Sequence, residues 1–245
     1  MSRSIKARVR EATNRLIAPL GLHLARTERV FEMGGLLMRA SARDPKIATW
    51  IDVGASDGSW SLLARRRFPN ARFLLFEPLA ERQSRLAVLE ERLGFLTIAA
   101  VAGASPGMVE FVVDPALDGS AVAGTGFSGA SRQVPMETIN RAVAERNLPG
   151  PFGIKLDTHG YELPVLEGAA RILASTELLI IEAYNFQLTP NCLRFHELCA
   201  WLEARGFRCC DLADPMRRPS DGALWQMDLA FAPASSALFS SNCYR

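Results

Sequence analysis

From Thr49 onward, short apolar runs alternate with longer segments in which apolar residues recur at helical spacing. The short runs predict buried strands, whereas a period of about 3.6 residues predicts helices. The predicted strands cover residues 49–53, 72–76, 96–101, 109–113, 152–156, 177–181, 207–211 and 224–231. The predicted helices cover residues 59–68, 80–93, 136–146, 162–173 and 193–205.

This alternation indicates an α/β fold in which helices cover both faces of a mostly parallel sheet. Ligands of such sheets bind beyond the carboxyl ends of the strands, so we expect functional side chains just after each strand. The segment 114–131, rich in Gly, Ser and Ala, interrupts the alternation. It is longer than most connections in compact domains, which favours a binding loop or lid over a spacer.

Composition restricts the class of protein. The chain has 245 residues, 49% hydrophobic and 22% charged, which is typical of one large domain or of one domain with a small appendage. A net charge of +2 excludes disorder driven by charge excess and gives no argument for a nucleic-acid partner. The five cysteines include no CxxC pair, so we predict neither a disulfide framework nor a zinc site, and expect a reducing, cytoplasmic compartment.

Basic residues concentrate near the N-terminus. Residues 1–48 contain ten basic and four acidic side chains, a local charge of +6, which leaves −4 for the rest of the chain. We therefore divide the chain into a basic helical extension (1–48), a main domain (49–232) and a C-terminal tail (233–245). A solvated helical cap on the main domain is the favoured interpretation of the extension. An organelle transit sequence and a helix in peripheral contact with an anionic membrane are the alternatives.

A glycine-rich turn, DVGASDG at 52–58, follows the first predicted strand. Glycines there let a ligand approach the backbone closely. A dinucleotide-binding turn needs G-x-G-x-x-G, but Ser56 replaces the middle glycine and Asp57 would repel a pyrophosphate. A serine hydrolase elbow, G-x-S-x-G, matches the letters around Ser56, but too few strands precede it.

A nucleoside that carries a cationic sulfonium fits this turn better, because it tolerates acidic groups near its amino-acid end. It also needs a carboxylate at the end of the second strand to accept hydrogen bonds from both ribose hydroxyls. Glu77 stands there, 19 residues after Gly58, and Pro78 follows it.

Polar residues are also dense after the later strands. The segment 155–162 (KLDTHGYE) contains Asp157 and His159, and Glu182, Tyr184 and Asn185 come at the end of the next strand. We expect the last three to line an acceptor pocket. Asp157, His159 and Glu182 could form a facial metal set, but their spacing does not demand one and no metal is predicted.

Three motifs in this order resemble the FkbM-type methyltransferases, which use S-adenosylmethionine. They are IDVGASDG at 51–58, FEP at 76–78 and KLDTHGYELPVLEGA at 155–169, and the likeness runs from about residue 49 to 232. The resemblance implies a class I methyltransferase fold, a Rossmann-like sheet of seven strands with the last antiparallel. It also implies O-methylation of a hydroxyl on a sugar or another secondary metabolite, with a small molecule or glycan as the acceptor.

The resemblance assigns roles residue by residue. Those expected to bind S-adenosylmethionine are Asp52, Gly54, Ser56, Gly58, Glu77, Pro78, Ala100 and Val101. We expect His159 to be the general base and Asp157 to orient it or to bind a substrate hydroxyl. His159 stands where the family often has Glu or Gln, which leaves the base assignment open. A serine hydrolase acting through Ser56 and a methyltransferase fold without activity remain the alternatives.

Overall fold

The computed structural model describes residues 5–20, 24, 31–124, 129–190 and 192–244. Its strands are β1 (Thr49–Val53), β2 (Arg72–Phe76), β3 (Leu96–Ile98), β4 (Val101–Ala102), β5 (Gly107–Val113), β6 (Ala121–Val122), β7 (Ala130–Glu137), β8 (Phe152–Leu156), β9 (Thr176–Tyr184), β10 (Phe207–Arg217) and β11 (Leu224–Pro233). Its α-helices are α1 (Ile5–Ile17), α2 (Met33–Ala42), α3 (Ser59–Arg65), α4 (Ala80–Leu93), α5 (Ile139–Glu145), α6 (Glu162–Gly168), α7 (Ala170–Leu173) and α8 (Phe195–Glu203).

The main sheet has seven strands in the order β10-β11-β9-β8-β1-β2-β3. The five strands from β9 to β3 are parallel, whereas β11 is antiparallel to both β9 and β10. The predicted α/β fold with its antiparallel last strand is therefore confirmed. β1 and β8 lie side by side at the centre, so the turns that follow them meet at one edge of the sheet.

Helices cover both faces because the strands are apolar on both sides. In β2, Leu74 and Phe76 belong to one buried cluster, while Phe73 and Leu75 belong to the other. Helices α5, α6 and α8 contribute buried side chains to the first cluster, and α2, α3 and α4 contribute to the second. Helix α2 is thus part of the core, although it lies within the sequence assigned to the extension; Arg39 also pairs with Asp211 of β10 at 2.8 Å.

The region between β3 and α5 differs from the prediction. β4, β7, β5 and β6 form a second, four-stranded sheet in that order, and β7 replaces the start of the predicted helix at 136–146. The helix begins only after Thr138, whose hydroxyl accepts a hydrogen bond from the backbone N–H of Arg141. The predicted loop 114–131 contains β6 and the start of β7; its residues 125–128 lie outside the described part of the chain.

The remaining elements either keep their predicted bounds or differ from them by a few residues. β1, β2, α4 and β8 have the predicted bounds. The segment 96–101 ends as a strand at Ile98, and Val101 begins the strand that joins the second sheet. None of the helices in the described residues is both long and apolar enough to cross a membrane.

Candidate functional site

The turn after β1 is fixed at the centre of the sheet. The backbone N–H groups of Gly54 and Ala55 both donate to the carbonyl oxygen of Phe76, at 3.1 and 3.0 Å. Gly54 has φ +77°, and a Cβ added there would lie 2.0 Å from the carbonyl oxygen of Asp157. The turns after β1 and β8 are therefore in contact, and only glycine allows that approach.

The carboxylate of Glu77 is held at the end of β2 by backbone groups. One oxygen accepts from the N–H of Ser56 at 2.7 Å and the other from the N–H of Leu79 at 2.8 Å. Burial raises the pKa of Glu77 to about 7, although both hydrogen bonds favour the ionised form. Each oxygen keeps a second lone pair, so the carboxylate can accept two further hydrogen bonds from a ligand.

Glu77 lies in the wall of a cavity of about 470 Å³. This volume is within the usual range for sites that bind small molecules. The other residues predicted to bind cofactor that line this cavity are Gly54, Ser56, Pro78, Ala100 and Val101. The cavity therefore joins three separate strand ends that the sequence analysis assigned to one ligand.

Two residues predicted to bind the cofactor, Asp52 and Gly58, instead support the turn through buried contacts. Asp52 is 1% exposed and accepts a hydrogen bond from the hydroxyl of Ser61 at 2.6 Å; burial raises its pKa to about 6. Gly58, at φ +81°, packs against helix α4, where an added Cβ would lie 2.3 Å from Leu89. Neither is among the described residues that line the cavity: Asp52 is buried against Ser61, and Gly58 lies against α4.

A buried ion-pair network follows β8. The ammonium group of Lys155 is 3% exposed and lies 3.1 Å from Asp157 and 3.4 Å from Asp228 of β11. Although burial opposes the charge, these carboxylates raise the pKa of Lys155 above its usual value. Lys155 in turn helps to lower the pKa of Asp157, against the effect of burial. Asp157, which lines the cavity, is thus held as a carboxylate.

His159 is paired with Glu182 rather than with Asp157. Its Nδ1 lies 3.2 Å from a carboxylate oxygen of Glu182 and 2.9 Å from the hydroxyl of Tyr184, and its Nε2 lies 2.9 Å from the carbonyl oxygen of Asp118. Burial disfavours the imidazolium form, but the hydrogen bond and charge of Glu182, with the charge of Asp157, outweigh it and raise the pKa to about 9. Glu182 and Tyr184 contact the ring directly, whereas Asp157 acts on it through its charge; the expectation that Asp157 orients His159 stays a prediction.

The residues expected to line an acceptor pocket divide into two groups. Glu182 lines the cavity, where it also accepts a hydrogen bond from Gln226. Tyr184 is 2% exposed and donates its hydroxyl proton to Glu182, so it supports the cavity wall from behind. The amide group of Asn185 donates to the carbonyl oxygen of Leu224 at 3.1 Å and fastens the end of β9 to β11. Among the described residues, Tyr184 and Asn185 are thus not part of the cavity lining, and their direct contact with an acceptor stays a prediction.

Asp157, His159 and Glu182 can be considered as a metal site, because one ligand atom from each lies within 4.8 Å of the others. Their polar atoms already have protein partners: Lys155 for Asp157, Tyr184 for His159, and Gln226 for Glu182. The protein itself thus holds these three side chains in place.

The second sheet closes one side of the cavity. The sequence did not predict this sheet. Leu117, Asp118 and Ser120, from the predicted lid, line it together with Phe111 of β5. Arg82 of α4 pairs with the Asp118 carboxylate at 2.6 Å, and His159 contacts its carbonyl oxygen. Tyr161, Met216 and Gln226 also line the cavity. Tyr161 belongs to the motif at 155–169, and the three loop residues belong to the predicted binding loop. Met216 and Gln226 lie in no motif that the sequence analysis named, because their places depend on how distant segments pack.

Comparison with known proteins gives one match to a family model. The model described as "Methyltransferase FkbM domain" matches residues 52–209. Among curated proteins, none matches the chain.

Several solved structures are similar. A 1,6-didemethyltoxoflavin-N1-methyltransferase from Burkholderia thailandensis, with bound 1,6-didemethyltoxoflavin and S-adenosylhomocysteine, is 14% identical, with a TM-score of 0.46 over 95% of this chain and 93% of that one. An uncharacterized protein from Listeria monocytogenes is 13% identical, with a TM-score of 0.47 over 82% of this chain and 68% of that one. The C-terminal domain of precorrin-6Y C5,15-methyltransferase from Rhodobacter capsulatus is 16% identical, with a TM-score of 0.40 over 82% and 87%.

Proposed function

The chain belongs to the FkbM methyltransferase family, since that model matches more than half of its length, and from this premise we propose that it methylates a hydroxyl group of a sugar or another secondary metabolite with S-adenosylmethionine. The observation that carries the proposal is the Glu77 carboxylate. It lies in the cavity wall beside the glycine-rich turn, fixed by two backbone N–H groups and with one lone pair free on each oxygen.

The residues around the cavity fit this cofactor. Glu77 would accept hydrogen bonds from both ribose hydroxyls, a bidentate arrangement that favours a carboxylate over a neutral side chain. The Gly54 turn would lie along the amino-acid end, where the absence of a side chain gives room. Ala100 and Val101 would provide apolar contact for the adenine ring. Asp157 also lines the cavity as a carboxylate, which suits a nearby sulfonium cation.

When bound, the cofactor supplies a methyl group already activated by its positive sulfur. The task of this chain is then to align an acceptor oxygen with that carbon, and alignment can lower a barrier by about 7–11 kcal/mol. Asp157 is fixed by Lys155 and faces the cavity, so we assign it to accept a hydrogen bond from the acceptor hydroxyl. It thereby orients a lone pair of that oxygen.

An alcohol must lose its proton as the new bond forms, and we assign its acceptance to His159, whose Nε2 would exchange the carbonyl oxygen of Asp118 for the acceptor hydroxyl. A general base of this kind contributes about 10²–10⁴-fold to the rate. With its pKa at about 9, His159 is neutral in about one molecule in a hundred at pH 7. Proton acceptance is therefore expected to limit the rate at neutral pH.

Thermal unfolding with and without S-adenosylhomocysteine tests cofactor binding. Ligand at about 100 times its Kd stabilises by about 2.7 kcal/mol, which raises Tm by about 5–10 °C for a domain of this size. Glu77→Gln should abolish most of this shift, whereas Ser56→Ala should keep it, because Ser56 holds Glu77 through its backbone N–H. No shift in the parent protein would contradict the proposal.

The acceptor atom needs a separate test. The protein would be incubated with methyl-¹³C S-adenosylmethionine and a panel of sugars, aliphatic alcohols and amines, and the new methyl carbon identified by its NMR shift. O-methyl products support the proposal. N-methyl products alone would overturn the assignment to oxygen while leaving the methyltransferase family intact. Cofactor binding without turnover of any acceptor in the panel would favour the inactive binding protein.

A further inference from the structure

Exposed apolar side chains are concentrated in the first part of the chain. Among the described residues, five of the ten large hydrophobic side chains that are exposed precede α2: Val9, Leu16, Leu20, Leu24 and Phe31. Leu16 is 80% exposed and Leu20 is 73% exposed. Within α2, in contrast, Leu36 and Leu37 are almost fully buried in the core. These five side chains are thus not used to cover the sheet.

Three apolar residues of α1 share one face. Val9 and Leu16 are seven residues apart, and Ala12 lies between them at helical spacing, so the three form a stripe along the helix. Leu20 follows in the 3-10 turn Ala18–Leu20 that ends this helix. A stripe of this kind, open to solvent, needs a partner to cover it.

Asn14 fastens the next stretch back to the helix. Its side-chain amide donates to the carbonyl oxygen of Leu24 at 2.9 Å, and its side-chain oxygen accepts from the N–H of Leu24 at 2.6 Å. Leu24 therefore stays near α1, and with Leu16 and Leu20 it gives an apolar tip to this part of the chain. We call Val9, Leu16, Leu20 and Leu24 the N-terminal apolar tip.

Charge identifies the partner. The sequence around the tip is basic: residues 1–31 contain seven basic and two acidic side chains, a charge of +5, while residues 32–245 carry −3. Within α1 alone the sequence has Lys6, Arg8, Arg10 and Arg15 against Glu11. An apolar stripe accompanied by basic residues, on a helix of low overall hydrophobicity, is the pattern of helices that lie in the interface of an anionic bilayer. The acidic main domain would be repelled by the same surface, which directs contact to the N-terminal segment.

We propose that the N-terminal apolar tip binds reversibly to anionic lipid membranes, with its apolar residues in the headgroup region and its basic residues near the lipid charges. This proposal does not depend on the proposed reaction. It places the methyltransferase domain at a membrane surface without a membrane-spanning helix in the described part of the chain.

Co-sedimentation of the full chain with vesicles tests the proposal. Vesicles made from equal amounts of phosphatidylcholine and phosphatidylglycerol should bind the protein, and phosphatidylcholine vesicles should bind it at least about tenfold less, since each basic residue near an anionic surface adds favourable energy. High salt should weaken binding to the anionic vesicles, because it screens the lipid charge.

Two variants test whether the N-terminal apolar tip makes the contact with the vesicles. Leu16→Gln combined with Leu20→Gln should lower the partition coefficient roughly 100-fold, as expected when two leucines no longer insert. Met108→Gln is the matched control, because Met108 is 60% exposed on β5 in the main domain, and it should bind as the parent does. The Tm of each variant should stay within about 2 °C of the parent, since exposed side chains contribute little to stability.

Each of the other outcomes would overturn the proposal. Failure of the parent protein to bind anionic vesicles would do so, as would equal loss of binding in Met108→Gln. Equal binding to both kinds of vesicle would contradict the electrostatic part. If the paired leucine variant kept its vesicle binding but lost self-association in ultracentrifugation, or lost retention by a duplex RNA, then a second copy or a nucleic acid would cover the tip instead.

Discussion

His159 and Glu182 form a charged pair at the cavity wall, with Nδ1 of the imidazole 3.2 Å from a carboxylate oxygen. His159 belongs to the turn after β8, and Glu182 belongs to β9. Gln226 of β11 holds the carboxylate, and the carbonyl oxygen of Asp118 holds the far side of the imidazole. Because its partners come from separate elements, the pair connects the main sheet with the loop between β5 and β6 at the proposed acceptor side.

The first prediction concerns the pH dependence of turnover. If His159 accepts the acceptor proton, kcat should rise about tenfold per pH unit from pH 7 and level off near pH 9, where the imidazole loses its proton. His159→Gln should lower kcat by about 10²–10⁴-fold and remove this rise, while the Kd for S-adenosylhomocysteine changes little. Steady-state rates across this range, with isothermal titration for the Kd, measure both.

A rate that is independent of pH in the parent protein would assign proton acceptance to another group, with Asp157 as the first candidate. Glu182→Gln is the matched variant. It removes the charge that helps to hold the pKa of His159 near 9, so the rise should move to lower pH.

The second prediction concerns the cofactor. Ribose hydroxyls are hydrogen-bond donors, so the ionised form of Glu77 should bind them better than the protonated form. With a pKa of about 7, Glu77 should ionise fully above that pH, and the affinity for S-adenosylhomocysteine should weaken by up to about tenfold per pH unit below it. Titrations on both sides of pH 7 measure this. In Glu77→Gln the affinity should be lower and independent of pH; a parallel pH profile in both proteins would argue against the role of Glu77.

The sequence was sufficient to predict the central part of the fold. The runs that became β1, β2 and β8 are short, apolar on both faces and followed by glycine or a charged residue, so their limits are visible locally. Gly54, Glu77 and Asp157 follow directly from these strand ends, which explains why they were found. β7 was missed because its burial is mostly one-sided and weak, with Val134 as its buried residue, and pairing with β5 decides its structure.

The errors within the site have a common physical origin. The position of a residue at the end of a strand does not reveal whether its side chain lies in the cavity or in the core. The Asp52 carboxylate accepts a hydrogen bond from Ser61 in the core, and the Tyr184 hydroxyl is bound to Glu182. The pairing of His159 with Glu182 could not be predicted either, because it depends on the relative height of two neighbouring strand ends.

The third prediction concerns the buried charges after β8. Lys155→Met should destabilise the protein by about 3–5 kcal/mol, because Asp157 and Asp228 would lose their shared buried counter-charge. Adding Asp228→Asn should recover part of this loss, since one of the two carboxylates is then neutral. Urea unfolding at neutral pH measures both variants. A loss below about 1 kcal/mol in the single variant would show that water already solvates these carboxylates.

The last prediction tests the contact between the turns after β1 and β8. Gly54→Ala should cost about 2 kcal/mol or more, because the added Cβ would lie 2.0 Å from the carbonyl oxygen of Asp157 and the backbone has φ +77°. It should also weaken binding of S-adenosylhomocysteine, since relief of the clash moves one turn away from the other. Gly34→Ala is the control: Gly34 lies in α2, a Cβ there has no neighbour within 4 Å, and the change should stabilise by up to about 1 kcal/mol. Urea unfolding and ligand titration compare the two. Equal stability of both variants would mean that the turns separate easily, and the cavity wall they form would then not be rigid.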